Sequence, residues 1–362
     1  MGEHSDALSL DALLQGWDGE EIVLRRDHAT GATIIIAVHS TRLGLAGGGT
    51  RVKTYPSVED AIRDAQRLAE GMTYKFAAAQ LARGGGKAVI AIPPNLDAAA
   101  RDDLLRRYGA LIHQLGGLFS CGADVGTSDR DMDVIAETGA PYVFGRTPEN
   151  GGAGDPSPAT AIGVFSGIKT TCERLFGSDD LAGRRVVVQG VGKVGYPLLR
   201  LLRDAGAELT CGDVDTAAVE RARAEMGVTV VAPDAVYDIE CDIFSPCALG
   251  AILNSETIPR LRCRAVAGSA NNQLATPEDV DRLRAREIVY APDFVVNSGG
   301  AIYLIGREVL GWSEQATLDH IATSVRETLK QVYALSDEQG IATSVAAEHV
   351  ARQRIDNPSE QA

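Results

Sequence analysis

No stretch of this 362-residue chain approaches the roughly 20 consecutive apolar residues of a membrane span. Basic residues are in deficit, 35 Lys and Arg against 49 Asp and Glu, for a net charge of -14. Nucleic acid and anionic membranes select basic patches, so neither is expected as a partner. A small anionic substrate stays open, because a site can be positive locally. The six cysteines, at 121, 172, 211, 241, 247 and 263, contain no C-x-x-C pair. They read as reduced core thiols without zinc or disulfide roles. The six histidines are scattered, none paired at ligand spacing, so no metal is expected. The opening "MGEHSDALSLDALLQGWDGE" lacks the basic-then-apolar order of a signal peptide, which makes a cytoplasmic location the expectation.

What the chain has in quantity is glycine. "LARGGGKAVIAIPP", residues 81–94, sets three glycines and a lysine before an apolar run. A phosphate loop needs Gly-x4-Gly-Lys-Ser/Thr between a strand and a helix. Here Ala88 follows Lys87 and residues 88–92 read as strand, so the glycines are expected to form a tight turn.

The length allows two domains with separate cores. "EIVLRRD" and "ATIIIAV" around a Gly-containing turn predict a hairpin whose second strand is an exposed edge. Ser57 with Asp60 has capping-box spacing, and Ala61, Ile62, Ala65, Leu68, Ala69 and Met72 recur at helical period. A further helix is expected over about 96–115, then a strand, a polar loop and a helix start in "GGLFSCGADVGTSDRDMD". "GRTPENGGAGDPSP", residues 145–158, reads as a linker. Beyond it come a helix, then strand, glycine turn, helix and strand, with shorter strands at "CDIFSPC", "RAVAGSA" and "EIVYAPDFVV". The fold expected is α/β in two domains. An N-terminal substrate-binding and oligomerisation domain spans 1–145, and a doubly wound Rossmann domain spans 146–329. The helices from about 330 to 362 are expected to pack back on the first.

Gly190, Gly192 and Gly195 form G-x-G-x-x-G, with Val191, Lys193 and Val194 between them. A strand precedes the motif and a helix follows, the context in which a pyrophosphate sits on a helix N-terminus. Eighteen residues past Gly195, Asp213 ends the second strand, placed for an adenosine ribose 2′-OH. A carboxylate there repels a 2′-phosphate and no arginine directly follows, so NAD is expected over NADP. In the first half, Lys75, Lys87 and Asp124 read as lying at the ends of apolar elements beside small residues. One lysine can bind a carboxylate as a point cation while the other serves as a base, its pKa lowered by burial and a neighbouring cation. Glycines 84–86 are expected to let a substrate approach Lys87.

"GMTYKFAAAQL", "GGGKAVI", "ADVGTSDRDMD", "GVGKVG", "CALGA", "GSANNQL" and "YAPDFVVNSGG" carry a resemblance. From about residue 15 to 355 the chain resembles the NAD-dependent amino-acid dehydrogenases acting on glutamate, leucine, phenylalanine and valine. The resemblance implies a homo-oligomer that oxidatively deaminates an L-amino acid to its 2-oxo acid and ammonium. It makes Lys87 the catalytic lysine and Asp124 its proton-transfer partner. Lys75 would hold the substrate carboxylate, helped by Asn271 and the backbone near Gly48 and Gly49. Thr160, Cys247, Ala248, Asn271 and Asn297 would contact the cofactor. Gly47, Gly122, Ala301 and Leu304 would line the side-chain pocket, with Met72 and Ala123 nearby. Ala123 stands where phenylalanine enzymes tend to carry Pro, and Gly126 where they carry Asn, whereas "LIGREVLGWSE" is similar to theirs. Leucine enzymes usually have Leu, Ala, Val and Val at the four pocket positions, so three residues here are smaller. That implies phenylalanine or another bulky aromatic as substrate, with leucine or valine the alternative. A non-catalytic NAD-binding regulator would lack one of the two lysines or Asp124, and glutamate would need a cation that these pocket positions do not offer.

Overall fold

The computed structural model describes residues 10–358. The first half is a five-stranded mixed sheet in the order β1-β2-β4-β3-β5. Its strands are β1 (Glu21–Asp27), β2 (Ala32–Ser40), β3 (Ala46–Lys53), β4 (Gly84–Ala91) and β5 (Phe119–Ala123). β1 and β2 form the expected hairpin, turning at Gly31 with φ 74°. The exposed edge, however, is β1. Every residue of β2 is buried, because β4 covers its other side and helices cover both faces. Ile35 and Ala37 meet α1 (Leu10–Gln15) and α2 (Val58–Ala78), while Ile34, Ile36 and Val38 meet α3 (Ala98–Gln114) and α4 (Asp129–Gly139). Burial on both faces explains the unbroken apolar run. The α2 start is as expected: the Ser57 hydroxyl accepts from the Asp60 N–H at 3.0 Å.

Both triple-glycine runs are strand, not turn. β3 and β4 run parallel with Gly47 opposite Gly85. A Cβ on Gly85 would lie 2.1 Å from the Thr73 backbone nitrogen of α2, and one on Gly84 would lie 2.1 Å from the Ser40 carbonyl oxygen. On Gly48 it would lie 1.9 Å from the Gly86 carbonyl oxygen. These glycines therefore let backbone pack on backbone and do not clear a path to Lys87. Lys87 consequently sits within β4, and Lys75 in the last turn of α2.

The second sheet is six parallel strands: β6 (Arg185–Gln189), β7 (Glu208–Gly212), β8 (Thr229–Val230), β9 (Ile243–Pro246), β10 (Ala265–Val266) and β11 (Val289–Tyr290). The order β8-β7-β6-β9-β10-β11 is that of a dinucleotide-binding doubly wound sheet, with its switch point between β6 and β9. α5 (Ser157–Phe176), α6 (Gly195–Asp204) and α7 (Thr216–Met226) pack on it. "DFVV" forms α9 (Asp293–Val296), not the continuation of a strand; it follows α8 (Asp279–Ala285). α10 (Gly299–Leu304) runs into a π-helical turn, Ile305–Val309. α11 (Glu314–Gln339) and α12 (Thr343–Asp356) contribute to the core of this half. α12 also reaches α2, where Arg354 donates to the carbonyls of Ala77 and Ala78 at 3.1 and 2.9 Å. No helix among the described residues is long and apolar enough to cross a membrane.

The α2–β4 approach yields a stability test. Gly85→Ala should cost about 2 kcal/mol or more, since backbone atoms cannot yield as a side chain can. Gly71→Ala, on the open side of the same helix with nothing within 4 Å, should instead stabilise by about 0.5–1 kcal/mol. Denaturant midpoints of the two variants check both signs.

Candidate active site

β3 and β5 present Gly47, Gly49 and Arg51, and Ser120, Gly122 and Asp124, towards the α2 side of the sheet, with Gly47 opposite Ser120 and Gly49 opposite Gly122. Lys87 of β4 points the same way, its Nζ 3.1 Å from Asp124 Oδ2. Arg51 Nε donates to that same oxygen at 2.8 Å, and its Nη1 donates to Asp64 Oδ2 of α2 at 2.9 Å. The Tyr55 hydroxyl donates to Asp64 as well, at 2.7 Å. Gly49 is the glycine that makes room here: a Cβ on it would lie 2.9 Å from Lys87 Nζ and 2.7 Å from Asp124 Cβ. Burial pulls the Lys87 pKa below that of an ordinary lysine, and Asp124 opposes the shift without reversing it. Burial pushes Asp124 up, but Lys87 and Arg51 hold its carboxyl below the usual range. The pair is thus an ionised carboxylate beside an ammonium that gives up its proton more readily than a surface lysine.

Lys75 projects from α2 into the opening between the two halves. Its Nζ donates to Asn271 Oδ1 at 3.4 Å, and Asn297 Nδ2 donates to the same oxygen at 2.8 Å. Burial lowers its pKa; Asp293 of α9 opposes this and Lys87 adds to it. Asp293 in turn is pushed up by burial, despite backbone donors and Lys75. Neither Arg51 nor Asp64 was marked by motif or spacing, and Asp293 lay within a quoted motif without being singled out. An acidic residue on a predicted amphipathic helix, Asp64, reads as solvated until the strand it faces is known.

The pocket positions only partly match expectation. Met72 Cγ lies 3.4 Å from where a Gly48 Cβ would be, and Leu304 reaches the Gly145 backbone beside Ala123. Met72, Ala301 and Leu304 pack in one cluster with Phe76 and Phe144. The space that Gly122 leaves is taken by the Phe144 ring, whose Cε2 stands 2.3 Å from the position of a Cβ. Gly47 lies against Phe76, Arg83 and Ser120 at 3.3 to 3.4 Å. The missing side chains therefore admit aromatic walls rather than leaving a larger void. Glu308, within "LIGREVLGWSE" but not singled out there, binds the linker: its carboxylate accepts from the N–H of Gly145 and of Ala153, each at 2.9 Å. It lies in the π-helical turn directly after Leu304.

The second sheet offers a cradle for a dinucleotide. Gly190 has φ 92°, and a Cβ on Gly195 would lie 1.9 Å from its carbonyl oxygen, so the turn into α6 closes on itself. Above Gly192 nothing lies within 4 Å of a would-be Cβ, and no side chain caps the N-terminus of α6, leaving its N–H groups to an anion. Lys193 is exposed, while Val191 is buried beneath the turn and Val194 half-buried. Asp213 accepts from the Val191 N–H at 2.6 Å and the Asp215 N–H at 2.9 Å, and a carboxylate has lone pairs left for a ribose hydroxyl. Cys247 and Ala248 close the crevice across the switch point: the Cys247 N–H donates to Gln189 at 2.7 Å, and Ala248 adjoins Gly190. Thr160 stands against Gly300, and Asn297 keeps a buried Oδ1 without a partner, an acceptor that suits an amide-bearing ligand. These residues fit a nicotinamide dinucleotide.

Residues 21–140 match the family model "Glu/Leu/Phe/Val dehydrogenase, dimerisation domain", and residues 212–362 match "Glutamate/Leucine/Phenylalanine/Valine dehydrogenase". The chain is 43% identical to a leucine dehydrogenase of Geobacillus stearothermophilus over 349 residues, covering 96% of this chain and 94% of that one. It is 42% identical to a phenylalanine dehydrogenase of Bacillus thermotolerans over 342 residues, covering 93% and 88%. The crystal structure of L-tryptophan dehydrogenase from Nostoc punctiforme superposes with a TM-score of 0.87 at 38% identity, covering 97% of this chain and all of that one.

Proposed function

The chain belongs to the Glu/Leu/Phe/Val dehydrogenase family of NAD-dependent amino-acid dehydrogenases, and from that premise we propose how its own residues divide the work. The observation that carries the reading is the buried Lys87–Asp124 pair at 3.1 Å with Lys75 beside it. Lys75 holds the substrate α-carboxylate, and Asn271 positions that lysine. Asp124 lies where the substrate amino group enters and takes up its proton, so that the nitrogen lone pair is free. NAD, held on the β6–α6 turn with Asp213 at its ribose, supplies the acceptor for the hydride that leaves Cα. The substrate is then an iminium. Neutral Lys87 removes a proton from water as its oxygen bonds to that carbon, and the ammonium so formed stabilises charge developing on oxygen. Asp124 returns its proton to nitrogen and then takes the hydroxyl proton of the carbinolamine as the C–N bond breaks, leaving the 2-oxo acid and ammonia, which solvent protonates to ammonium.

Lys87→Ala should lower kcat by about 10²–10⁴-fold while leaving NADH binding intact. In Asp124→Asn the charge that favours the protonated lysine is gone, so the Lys87 pKa falls further. The acidic limb of the kcat/KM profile for deamination should then move to lower pH, on a reduced maximum. A limb that stays put, or moves to higher pH, removes Lys87 as the group titrating there.

For the side chain we propose L-phenylalanine or another bulky aromatic amino acid. Phe76 and Phe144 stand over a glycine floor, and flat rings pack well against such walls. Leucine is the second reading, favoured by the naming of similar proteins at 43–44% identity. One panel of NADH formation decides: kcat/KM for L-Phe, L-Leu and L-Val with NAD, and the best substrate again with NADP. The aromatic reading expects L-Phe to lead, and Asp213 to give NAD at least about tenfold preference, or roughly 1.4 kcal/mol. Gly122→Ala should push the Phe144 ring into the pocket and shift preference towards smaller side chains. A leucine lead, or an unchanged ratio in Gly122→Ala, refutes the pocket assignment.

The chain is also read as a homo-oligomer. β1 is an unpaired sheet edge with Leu24 half exposed, and it lies in the segment whose family model is described as a dimerisation domain. Light scattering at micromolar concentration should give a multiple of 38.2 kDa, and a monomer mass refutes it.

A further inference from the structure

Arg83 follows α2 and precedes β4, and it is 5% exposed. A guanidinium presents five N–H donors. Among the described residues its side chain has a single hydrogen bond, from Nη2 to Ser120 Oγ. Among the described residues its buried Nε has no partner, and no carboxylate lies within ion-pair distance. Ser120 is itself 5% exposed, and its hydroxyl reaches the Ala46 carbonyl at 3.3 Å. Burying a charge without a counter-ion costs several kcal/mol, and an apolar residue of similar volume would pack there without that cost. As a structural device alone, this arginine is a poor choice.

Its position gives it another use. Arg83 Nη2 and Ser120 Oγ both lie 3.4 Å from where a Gly47 Cβ would be, and the Phe76 ring lies at 3.3 Å. Two residues along the same strand, Gly49 touches Lys87 and Asp124. Successive same-face positions on a strand are roughly 7 Å apart. The reacting groups and the Arg83–Ser120 pair thus stand at opposite ends of one glycine floor, with Phe76 and Phe144 along it. We propose that Arg83 and Ser120 form the distal end of the substrate side-chain pocket and bind an oxygen at the tip of that side chain. The roughly 7 Å step suits the length of a phenol better than a glutamate side chain. A phenol oxygen accepts from Arg83, and its hydroxyl can donate to Ser120. This inference rests on the reading that the floor of Gly47 and Gly122 is the side-chain site, and it makes tyrosine-like rather than phenylalanine-like substrates the preferred aromatics.

The test is kcat/KM for L-Tyr, L-Phe, L-Glu and L-Leu on the full-length protein, wild type and Arg83→Met. A site built to bond an oxygen discriminates strongly against the analogue lacking it, so L-Tyr should exceed L-Phe by at least tenfold. Arg83→Met should raise L-Phe and lower L-Tyr enough to invert that order. Ser120→Ala, a smaller change, should reduce the Tyr/Phe ratio in the same direction and keeps the test available if Arg83→Met does not fold. L-Phe equal to or ahead of L-Tyr, with the ratio unmoved by either variant, overturns the inference; the aromatic reading survives that result if both exceed L-Leu. If L-Leu leads both aromatics, the aromatic reading fails and the L-Glu arm decides. L-Glu turnover that collapses in Arg83→Met relative to L-Leu supports an oxygen-binding end with a carboxylate as its ligand. L-Glu turnover indifferent to the variant refutes it.

Discussion

Helix α2 lies so close to β4 that no side chain fits between Gly85 and the Thr73 backbone, and the site depends on that approach. The helix carries Met72, Lys75 and Phe76 on its final turns, and the strand carries Lys87 two residues past Gly85. A methyl group at Gly85 would lift the helix and draw the two lysines apart. Asp64, two turns earlier on α2, takes the far end of Arg51, whose Nε holds Asp124. The helix therefore fixes both Lys75 and, through Arg51, the orientation of Asp124 beside Lys87.

That arrangement also explains how buried charges coexist. Asp124 Oδ2 receives Lys87 and Arg51 together, and these two cations hold its carboxyl below the usual range although burial pushes it up. The Coulomb gain from Asp124 is shared: Arg51 has Asp64 as a second anion, whereas Lys87 has only its part of Asp124. Lys87 is left with a pKa below normal, the condition a lysine base needs near neutral pH. Had Arg51 been absent, Asp124 would favour the ammonium of Lys87 alone and hold its proton more tightly.

Much of the nucleotide half was legible because its signals are local. A strand, a glycine turn, a helix and a terminal Asp213 lie within thirty residues, and each glycine there answers to a turn or a close contact. In the first half the same residue type misled. Gly84–Gly86, like Gly47–Gly49 on the neighbouring strand, carry no side chains; the later run shows neither β-branching nor alternation and reads as a turn. Their pairing across two strands is non-local and appears in no window of sequence. The ATIIIAV segment was a strand as read, yet its place inside the sheet was set by β4, fifty residues on. Lys75, Lys87 and Asp124 were found through motifs; Asp293 and Glu308 lay inside quoted stretches without being singled out, and Arg51 and Asp64, which meet between strand and helix, left no pattern.

The acidic balance of the chain and the chemistry of its site point in opposite directions, and the structure reconciles them by concentration. Among the side chains gathered under α2 and at the cleft, Lys75, Lys87, Arg51 and Arg83 face Asp64, Asp124 and Asp293. Against a net charge of -14, that small region carries more cations than anions. The excess lies behind a low-dielectric wall of Phe76, Phe144 and Met72, where charges are screened less than at the surface. A zwitterion with no net charge is neither steered nor repelled by the acidic exterior, so short-range contacts inside the cleft would dominate its binding. The two lysines differ in this regime: Lys87 already has Asp124 at 3.1 Å, whereas Lys75 has only the amide oxygen of Asn271 as a direct partner among the described residues.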